Sequence, residues 1–482
     1  MVLAKISSAM LACAGLVLCI GLMLLSTGEA NLKPNPLFKA GVSALYIAAL
    51  CFILGAIALP HFKQNLAHYF ARVSLFFILL LGIIALSLLS LYFTADRHLS
   101  WSFMRRFLLE PSLFLLLISL YFYTIKPSSQ ARIIYALLII FSLQPIFTIG
   151  DFIYYGLAND LSFIAMLGSY RPMPFFFTEA QTGYAFFLII SLSLSVALFC
   201  TKPSKLALLL VGLNILACIV ANTRFLHICL CVIMLLPAIL LPYRHKSRIL
   251  AGVSAVVLLC GVGFYYVSAH LSPRYNLAAM LDNFTQVWSL PPAAMGRFDN
   301  NCDSVQHCMP ESFPRDPSLI WEHSSLNRLA MSKATWLGIL DNPLRPNGFG
   351  LGLFAKNIVR IFGSGEQIPY YIHRHDDGSI LPFYWTNHNG ILYLWFELGI
   401  VGFGLIVWLH LWLLLQARKL YQCTSLSTIS RAFALGLSLS ILGLIVANCF
   451  DALPNRAGTL VLFLLFGLLI ALIAKCGHKE SA

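Results

Sequence analysis

Long uninterrupted apolar runs dominate this chain and leave few folds open to it. At about 20 apolar residues for each bilayer crossing, we count twelve such runs. Hydrophobic residues make up 59% of the 482 positions and charged residues 11%, and the mean hydropathy of +0.82 is far above that of soluble globular proteins. The sequence therefore predicts an all-α polytopic membrane protein with about twelve transmembrane helices. The predicted spans are 6–26, 41–60, 72–94, 107–126, 133–156, 180–200, 206–222, 224–243, 249–269, 390–416, 431–450 and 457–475.

The first apolar run, about Ser8 to Leu25, follows a single lysine, as a secretory signal peptide would. Its apolar part is long for the core of a signal peptide. We therefore interpret it as an uncleaved first span.

Lysine and arginine are distributed unevenly between the short loops on the two sides of the predicted bundle. Fifteen lie on one side and eight on the other, when the one long loop is set aside. By the positive-inside rule, both termini are then cytoplasmic. The net charge of +13 comes from these scattered loop residues rather than from a basic face, and so no nucleic-acid partner is expected.

Three regions follow from this topology. Residues 1–269 hold spans one to nine, residues 270–389 form a loop, and residues 390–482 hold spans ten to twelve and a cytoplasmic C-terminal segment. The loop is extracytoplasmic and is the one segment long enough to form a subdomain outside the membrane. Its first half, to about Pro317, is rich in Pro, Asn and Asp and is expected to be irregular.

The second half of the loop contains a predicted helix. Ser324 or Ser325 is expected to cap it, and it should end before Asp341. Its apolar residues recur near helical spacing and are expected to pack on the membrane domain. They are Leu326, Leu329, Trp336, Leu337 and Leu340.

Two of the 13 cysteines, Cys302 and Cys308, lie in the long polar loop. The other cysteines are in apolar or short flanking stretches, where cysteine behaves as a small hydrophobe. Because an extracytoplasmic loop meets an oxidising compartment, we expect a disulfide between Cys302 and Cys308. A metal site is the weaker alternative, since His307 is the one further ligand nearby.

Polar groups gather at the start of three spans that run inward from the extracytoplasmic side. They are Thr178-Glu179 before span six, Asn222-Thr223-Arg224 before span eight and Asn387-His388-Asn389 before span ten. A helix N-terminus offers unpaired N–H groups and a partial positive charge, which suit phosphate, and an arginine adds bidentate donors. Arg224 is therefore a candidate pyrophosphate ligand. The alternative is an interfacial arginine that reaches toward lipid headgroups.

Further candidates extend this cluster. Arg171, Arg328 and Arg345 add positive charge in the preceding loop and in the long loop. An imidazole ordinarily titrates near neutrality, and so His388 suits a general base, with a helix-capping role as the alternative. Three glycines after Arg345 either let the backbone approach a ligand or form a turn where the loop leaves its helix. They are Gly348, Gly350 and Gly352.

Acidic residues in and near the spans are expected to have structural roles. Glu397 lies nine residues after His388, which is half a turn around the helix and about 13 Å along it, so the two cannot form a dyad. We expect Glu397 to pair with another span. The glycines that follow it, Gly399, Gly402 and Gly404, are expected to allow close helix contact. The sequence leaves open the partners of Glu110, Asp151, Glu397, Asp451 and Arg456.

Several of these stretches together resemble the O-antigen ligase and O-antigen polymerase superfamily of bacterial envelope proteins. The resemblance covers about residues 170–405, with Thr386 where many members have a second histidine and Thr223 where ligases have serine. The residues that carry it are Arg171, Phe177-Thr178-Glu179, Thr223-Arg224, Arg328-Leu329, Trp336, Pro343, Gly348-Phe349-Gly350, His388-Asn389, Leu392, Glu397, Gly399 and Gly402.

The resemblance implies a multi-pass protein of the bacterial inner membrane whose active site faces the periplasm. It implies an inverting glycosyl transfer, independent of metals and cofactors, from a glycan on undecaprenyl diphosphate to lipid A-core or another glycan acceptor. His388 and Arg224 would be catalytic, and Arg171, Glu179, Arg328, Arg345 and Asn389 would bind substrate. A diphosphate leaving group needs fixed positive charge, and an acceptor hydroxyl needs a positioned base.

Two other functions stay open at this point. A polymerase that joins lipid-linked repeat units is the nearer alternative, because Phe177-Thr178-Glu179 resembles polymerases, whereas the single large loop favours a ligase. A glycolipid transporter is the alternative from another class. Transporters often have internal repeats and ionisable groups near the bilayer midplane, and the polar groups here gather on one face instead.

Overall fold

The computed structural model describes most of the helical part of the chain. The described residues are 2–25, 29–30, 33–34, 36–57, 59, 62–170, 172, 182–221, 223–241, 323–350, 353–362, 372–374, 380–382, 387–450 and 456–476, with scattered positions between 255 and 289. Four of the predicted site residues lie outside them. These are Arg171, Glu179, Cys302 and Cys308.

Helices account for nearly all of the described structure. Two antiparallel hairpins of very short strands are the exception, β1 (Glu29–Ala30) with β2 (Lys33–Pro34) and β3 (Ile372–Arg374) with β4 (Ile380–Pro382). One π-helical turn, Arg105–Leu109, joins α4 to α5. The helices are α1 (Val2–Leu25), α2 (Pro36–Ile57), α3 (Phe62–Ser90), α4 (Arg97–Met104), α5 (Glu110–Thr124), α6 (Pro127–Ala158), α7 (Phe163–Ser169), α8 (Thr182–Thr201), α9 (Lys205–Val220), α10 (Arg224–Leu240), α11 (His323–Asp341), α12 (Phe354–Phe362), α13 (Gly390–Gln422), α14 (Thr428–Asn448) and α15 (Arg456–Cys476).

The helices confirm a multi-pass membrane protein. Among the described residues, eight helical segments are long and apolar enough to cross a bilayer, and three shorter apolar helices, α8, α9 and α10, match predicted spans six to eight. The ninth predicted span, 249–269, lies almost wholly outside the described residues. The total of twelve therefore stays a prediction.

The core of the bundle lies along α14 and α15. Both are far more enclosed than α1, α2 or α13, which expose leucine, isoleucine and valine on their outer sides. Such an apolar exterior is what a hydrocarbon environment requires. Two interior helix pairs, α8 with α14 and α5 with α15, build this centre.

A partly buried ion pair answers one of the pairing questions that the sequence leaves open. Arg456 Nη2 lies 2.7 Å from Glu110 Oε2, and Tyr46 donates a hydrogen bond to the other carboxylate oxygen. These groups stand where α5 and α15 begin. The pair joins those helix starts to α2, because the Arg456 guanidinium also lies over the Phe38 ring.

The helix predicted in the long loop exists as α11, but its predicted apolar stripe is correct only at Trp336, whose ring lies 6.0 Å from the ring of Trp395 in α13. Leu340 is exposed, and Leu329, Trp336 and Leu337 are only half-buried. The buried stripe is instead Met331, Ala334 and Ile339, which packs with Phe354 and Phe396. The helix also begins at His323, and so Ser324 and Ser325 lie in its first turn rather than before it.

One cysteine pair differs from the prediction. Cys423 and Cys476, which the sequence places among the cysteines expected to act as small hydrophobes, form a disulfide with a Cα–Cα distance of 6.6 Å. The bond joins the ends of α13 and α15.

Candidate active site

The helix that follows His388 is broken near its start. Gly399 in α13 has φ 67° and ψ 176°, a conformation outside the helical region. A continuous helix of 33 residues would be about 50 Å long, well beyond the hydrocarbon thickness of about 30 Å. The break separates the segment Gly390–Leu398, which we call the half-helix, from the membrane-crossing remainder.

A loop segment lies across the break and satisfies its backbone. We call this segment, Pro343–Gly350, the strap. The Ile400 N–H donates to the Pro343 carbonyl at 3.0 Å, and the Asn347 and Gly348 N–H groups donate to the Glu397 carbonyl at 3.0 and 3.2 Å. Irregular backbone at this level is tolerated where protein supplies the partners. The strap thus holds the half-helix at a fixed angle.

Glu397 pairs with the strap rather than with another span, contrary to the prediction. Its Oε1 accepts a hydrogen bond from the Gly350 N–H at 2.6 Å, and Tyr393 donates to the Gly350 carbonyl at 2.8 Å. Glu397 is only 4% exposed. Glu397 and Tyr393 of the half-helix therefore both bind the backbone of Gly350.

The other side of the strap is fastened to the end of α3 and the start of α4. The Phe349 N–H donates to Ser90 Oγ at 3.1 Å, and Ser100 Oγ donates to the Phe349 carbonyl at 2.7 Å. Gly348 and Gly350 have positive φ, and each is packed so closely that a Cβ would clash with Thr94 or Phe103. These two glycines therefore form a packed turn, and Gly352 lies outside the described residues.

His388 is held in a left-handed conformation, with φ 54°. Both of its neighbours are anchored. Asn387 is fully buried and donates from Nδ2 to Thr335 Oγ1 at 2.8 Å, and it also accepts from the Asn389 N–H. Asn389 caps the half-helix by accepting from the Leu392 N–H at 3.1 Å. A non-glycine residue in this conformation is costly, and such residues cluster at functional sites.

Arg328 lies on α11, the helix that anchors this turn through Thr335. It precedes Thr335 by seven residues, which places the two on one face of the helix about 10 Å apart along its axis. Thr335 binds Asn387, the residue before His388. The half-buried Arg328 side chain therefore lies on the face of α11 that holds the His388 turn.

Arg224 lies at the same end of the bundle. We call this end, where α13 begins, α14 ends and the strap packs, the loop face. Cys229 of α10 donates to the Gly443 carbonyl of α14 at 3.3 Å. Arg224 is five residues before Cys229, and Asn448 is five after Gly443, so both lie about 7.5 Å nearer the loop face in this antiparallel pair.

Asn448 connects the two sides. Its Oδ1 lies directly against Gly390, the residue after the Asn389 cap, and leaves no room there for a Cβ. Arg224 and His388 are therefore on either side of the end of α14. Asn448 and His227, one turn after Arg224, are residues that the sequence analysis missed; helical spacing from Arg224 was the one available signal for His227.

An apolar cavity of about 260 Å³ opens beneath the half-helix. Its polar lining includes Glu397 and Asn448 near the loop face, and His410 deeper in the bundle. Apart from Thr459, the rest of its wall is apolar and comes from six α-helices, the π-helical turn and the strap. An enclosure of this kind suits a hydrocarbon chain better than a sugar.

The fold and the site define a multi-pass membrane protein with basic groups, an amide cluster and one strained histidine gathered at one end of its helices. Residues 206–407 match the family model described as O-antigen ligase. This match confirms the resemblance to the O-antigen ligase superfamily over that part of the chain. The matched range contains Arg224, Arg328, Arg345, His388 and Asn389. No curated protein matches the chain.

Proposed function

We propose that this protein is an O-antigen ligase-like glycosyltransferase of the bacterial inner membrane. It transfers a glycan from undecaprenyl diphosphate to lipid A-core at the periplasmic face, with inversion and without a metal or cofactor. In this proposal the loop face is periplasmic and both termini are cytoplasmic. The membrane fold and the family support the class of enzyme, and the site geometry supports the roles below.

The observation that carries the proposal is the left-handed conformation of His388. The chain keeps this costly backbone between two anchored asparagines, and the turn lies beside the helix that bears Arg328. A helix cap alone does not need it, because Asn389 already caps the half-helix. The arrangement presents an imidazole at a fixed place, as a general base requires.

His388 is the proposed base for the acceptor hydroxyl. As the imidazole takes the hydroxyl proton, the acceptor oxygen attacks the anomeric carbon from the face opposite the diphosphate. The new glycosidic bond forms as the carbon–oxygen bond to the diphosphate breaks, and the configuration inverts. The electrons of that bond leave with undecaprenyl diphosphate, whose negative charge increases.

Arg224 and Arg328 are the proposed ligands of that departing diphosphate. Arg328 is on the helix that binds Asn387, and Arg224 is on α10, which packs on α14. Guanidinium groups bind phosphate oxygens in a bidentate way. Fixed positive charge that meets charge developing in the transition state lowers the barrier. Arg171 and Glu179, which lie outside the described residues, and the Asn389 amide complete the proposed binding set.

The apolar cavity supports a polyprenyl donor. It opens near Gly390 and Asn448 and continues between the spans to His410. A chain that enters there would leave its diphosphate at the loop face, near Arg224. This geometry accounts for an active site built on helix ends rather than in a separate soluble domain.

The test combines a deletion strain with point variants. Deletion should leave bare lipid A-core and long polymer on the carrier lipid. His388→Ala and Arg224→Ala should fail to restore the ladder although the protein is present in the membrane. His98→Ala and Arg106→Ala, which change exposed residues near the loop face, are the matched controls and should restore it.

Other outcomes would replace the proposal. Core that carries a single repeat after deletion would mean a polymerase. Restoration of the ladder by both His388→Ala and Arg224→Ala would refute the site. Movement of glycolipid across vesicles in the absence of an acceptor would mean a transporter.

A further inference from the structure

Two arginines, Arg345 and Arg360, lie close to Asn347 in the strap. Arg360 of α12 donates from Nη2 to Asn347 Oδ1 at 2.7 Å. Arg345 is two residues before Asn347, in a turn closed by its own N–H to Asn342. Asn347 is 3% exposed and also binds the Phe396 carbonyl, so both arginines are fixed relative to the half-helix.

Neither arginine has a carboxylate partner among the described residues. Other cations near the loop face do, since Lys356 pairs with Asp96 and Arg456 with Glu110, each at 2.7 Å. The Nε of Arg345 is buried and makes no hydrogen bond within the described part of the chain. A buried donor without an acceptor is costly, and so the arrangement calls for an anionic partner.

The electrostatic environment agrees with this geometry. Partial burial lowers the pKa of Arg360, and the nearby charge of Arg345 lowers it further. Two like charges held together are destabilising unless an anion separates them. Oxyanions with several oxygens, phosphoryl groups above all, match a pair of guanidinium forks.

The pair is set apart from the proposed reaction centre. Asn347 binds at Phe396, six residues into α13, and Arg345 lies against Gly399, nine residues into it. These positions are about 9 and 13 Å along the axis from the start of the helix. The departing diphosphate is bonded to the carbon under attack, so it must lie near His388, and a phosphoryl group at the arginine pair belongs to another part of the reactants.

We propose that Arg345 and Arg360 bind a phosphoryl group carried by the acceptor glycolipid. The proposal rests on the proposed function, because an acceptor exists only for a transferase. Binding there would orient the acceptor by its phosphate while its hydroxyl reaches His388. The two arginines touch the acceptor away from the reacting atoms and so affect its affinity.

The experiment uses the full-length protein in proteoliposomes with a lipid-linked glycan donor. The acceptor is lipid A-core, either intact or treated with a phosphatase. Arg345→Gln and Arg360→Gln should each raise the KM for intact acceptor about tenfold, with kcat and the KM for donor unchanged. Removal of the acceptor phosphates should do the same to the wild type and should leave the variants little affected.

Lys356→Gln is the matched control. It removes a positive charge from the same short helix, but this lysine is paired with Asp96, and so the KM for acceptor should not change. Arg360→Lys keeps the charge without the fork and should give an intermediate KM. Unchanged thermal unfolding of the Arg345 and Arg360 variants would show that the strap remains in place.

Several results would overturn the proposal. The proposal is wrong if the KM for acceptor is unchanged both by removal of the acceptor phosphates and by substitution of the two arginines. A raised KM for donor alone would assign the pair to the donor, and a dependence on the anionic lipid content of the vesicles alone would assign it to membrane headgroups.

A binding measurement separates this proposal from the proposed function. Intact lipid A-core should raise the unfolding temperature of the wild type more than phosphatase-treated lipid A-core does, and Arg345→Gln/Arg360→Gln should abolish the difference. If the wild type shows this difference but transfers no glycan, the proposed function fails and the anion site stands. If transfer occurs but the difference is absent, the anion site fails alone.

Discussion

Asn387 and Thr335 are 52 residues apart in the chain, and the Asn387 amide donates to the Thr335 hydroxyl at 2.8 Å within a fully buried contact. This hydrogen bond joins α11 to the turn that holds His388. It is the link through which the long loop sets the position of the proposed base.

The first prediction concerns that link. Thr335→Val removes the acceptor, leaves the buried Asn387 amide unsatisfied and should destabilise the protein by about 1–3 kcal/mol. Because His388 loses its anchor, kcat should fall about tenfold or more with little change in KM. Thr335→Ser keeps the hydroxyl and should behave as wild type. Equal kcat values for the two variants, measured by glycan transfer, would contradict this role.

The second prediction concerns the break in α13. Gly399→Ala places a Cβ in a positive-φ backbone and against the Leu344 carbonyl, so the strap must shift. The expected loss of stability is about 1–3 kcal/mol, measured as a lower unfolding temperature. Gly404→Ala in the same helix has nothing within 4 Å of the new atom and should be neutral or slightly stabilising. If the two variants unfold at the same temperature, the fold does not require glycine at position 399.

The membrane class and most helix bounds were predictable because hydropathy over 20 residues is a strong local signal. The start of α10 at Arg224 was also predicted correctly, and α11 ends one residue later than predicted, at Asp341. Arg224 and His388 were singled out as polar groups beside apolar runs and Arg328 as a cation on the loop helix, and the family match covers all three. The pairing of Glu110 with Arg456 was not predictable, since it joins residues 346 positions apart.

The missed features depend on tertiary structure. Gly399 was interpreted as a site of close helix contact, because nothing in the local pattern tells a packing glycine from a helix break. Glu397 was expected to reach another span, and the partner is a backbone N–H in the strap. The buried face of α11 was predicted from its hydrophobic residues alone. That criterion left out Thr335, a polar residue that is buried where it binds Asn387.

The third prediction separates a structural from a catalytic role for Glu397. Glu397→Gln keeps an oxygen that accepts from Gly350, and so transfer activity and stability should remain near wild type. Glu397→Ala leaves that N–H buried without a partner and should cost about 1–3 kcal/mol in the free energy of unfolding. Loss of activity in a stable Glu397→Gln protein would indicate acid–base chemistry instead.

The fourth prediction concerns pH. The Lys356 ammonium, and then the Leu99 N–H, lower the pKa of Asp96. A carboxyl group whose pKa is lower in the folded protein than in the unfolded chain stabilises the folded state. This contribution is complete at pH values above the unfolded pKa of about 3.9 and is lost as the pH falls through the folded-state pKa. The pair is partly exposed, so it should contribute only about 0.2–1 kcal/mol.

The measurement for this prediction compares wild type with Asp96→Asn. Their unfolding temperatures should differ near neutral pH and converge as the pH falls well below the ordinary aspartate pKa of about 3.9. Lys356→Gln should reproduce most of the difference. A gap that persists unchanged at low pH would mean that capping of α4, rather than charge, is responsible.

The fifth prediction uses the Cys423–Cys476 bond to test the proposed topology. This bond joins the ends of α13 and α15 at the end of the bundle opposite the loop face. If both termini are cytoplasmic, the pair is in a reducing compartment, where the disulfide of the structure should be reduced to two thiols. Alkylation in intact cells before lysis should therefore trap both as thiols, and mild oxidation of the purified protein should join them, as mass mapping would reveal. A bond already present before lysis would place this end in an oxidising compartment and reverse the proposed orientation of the site.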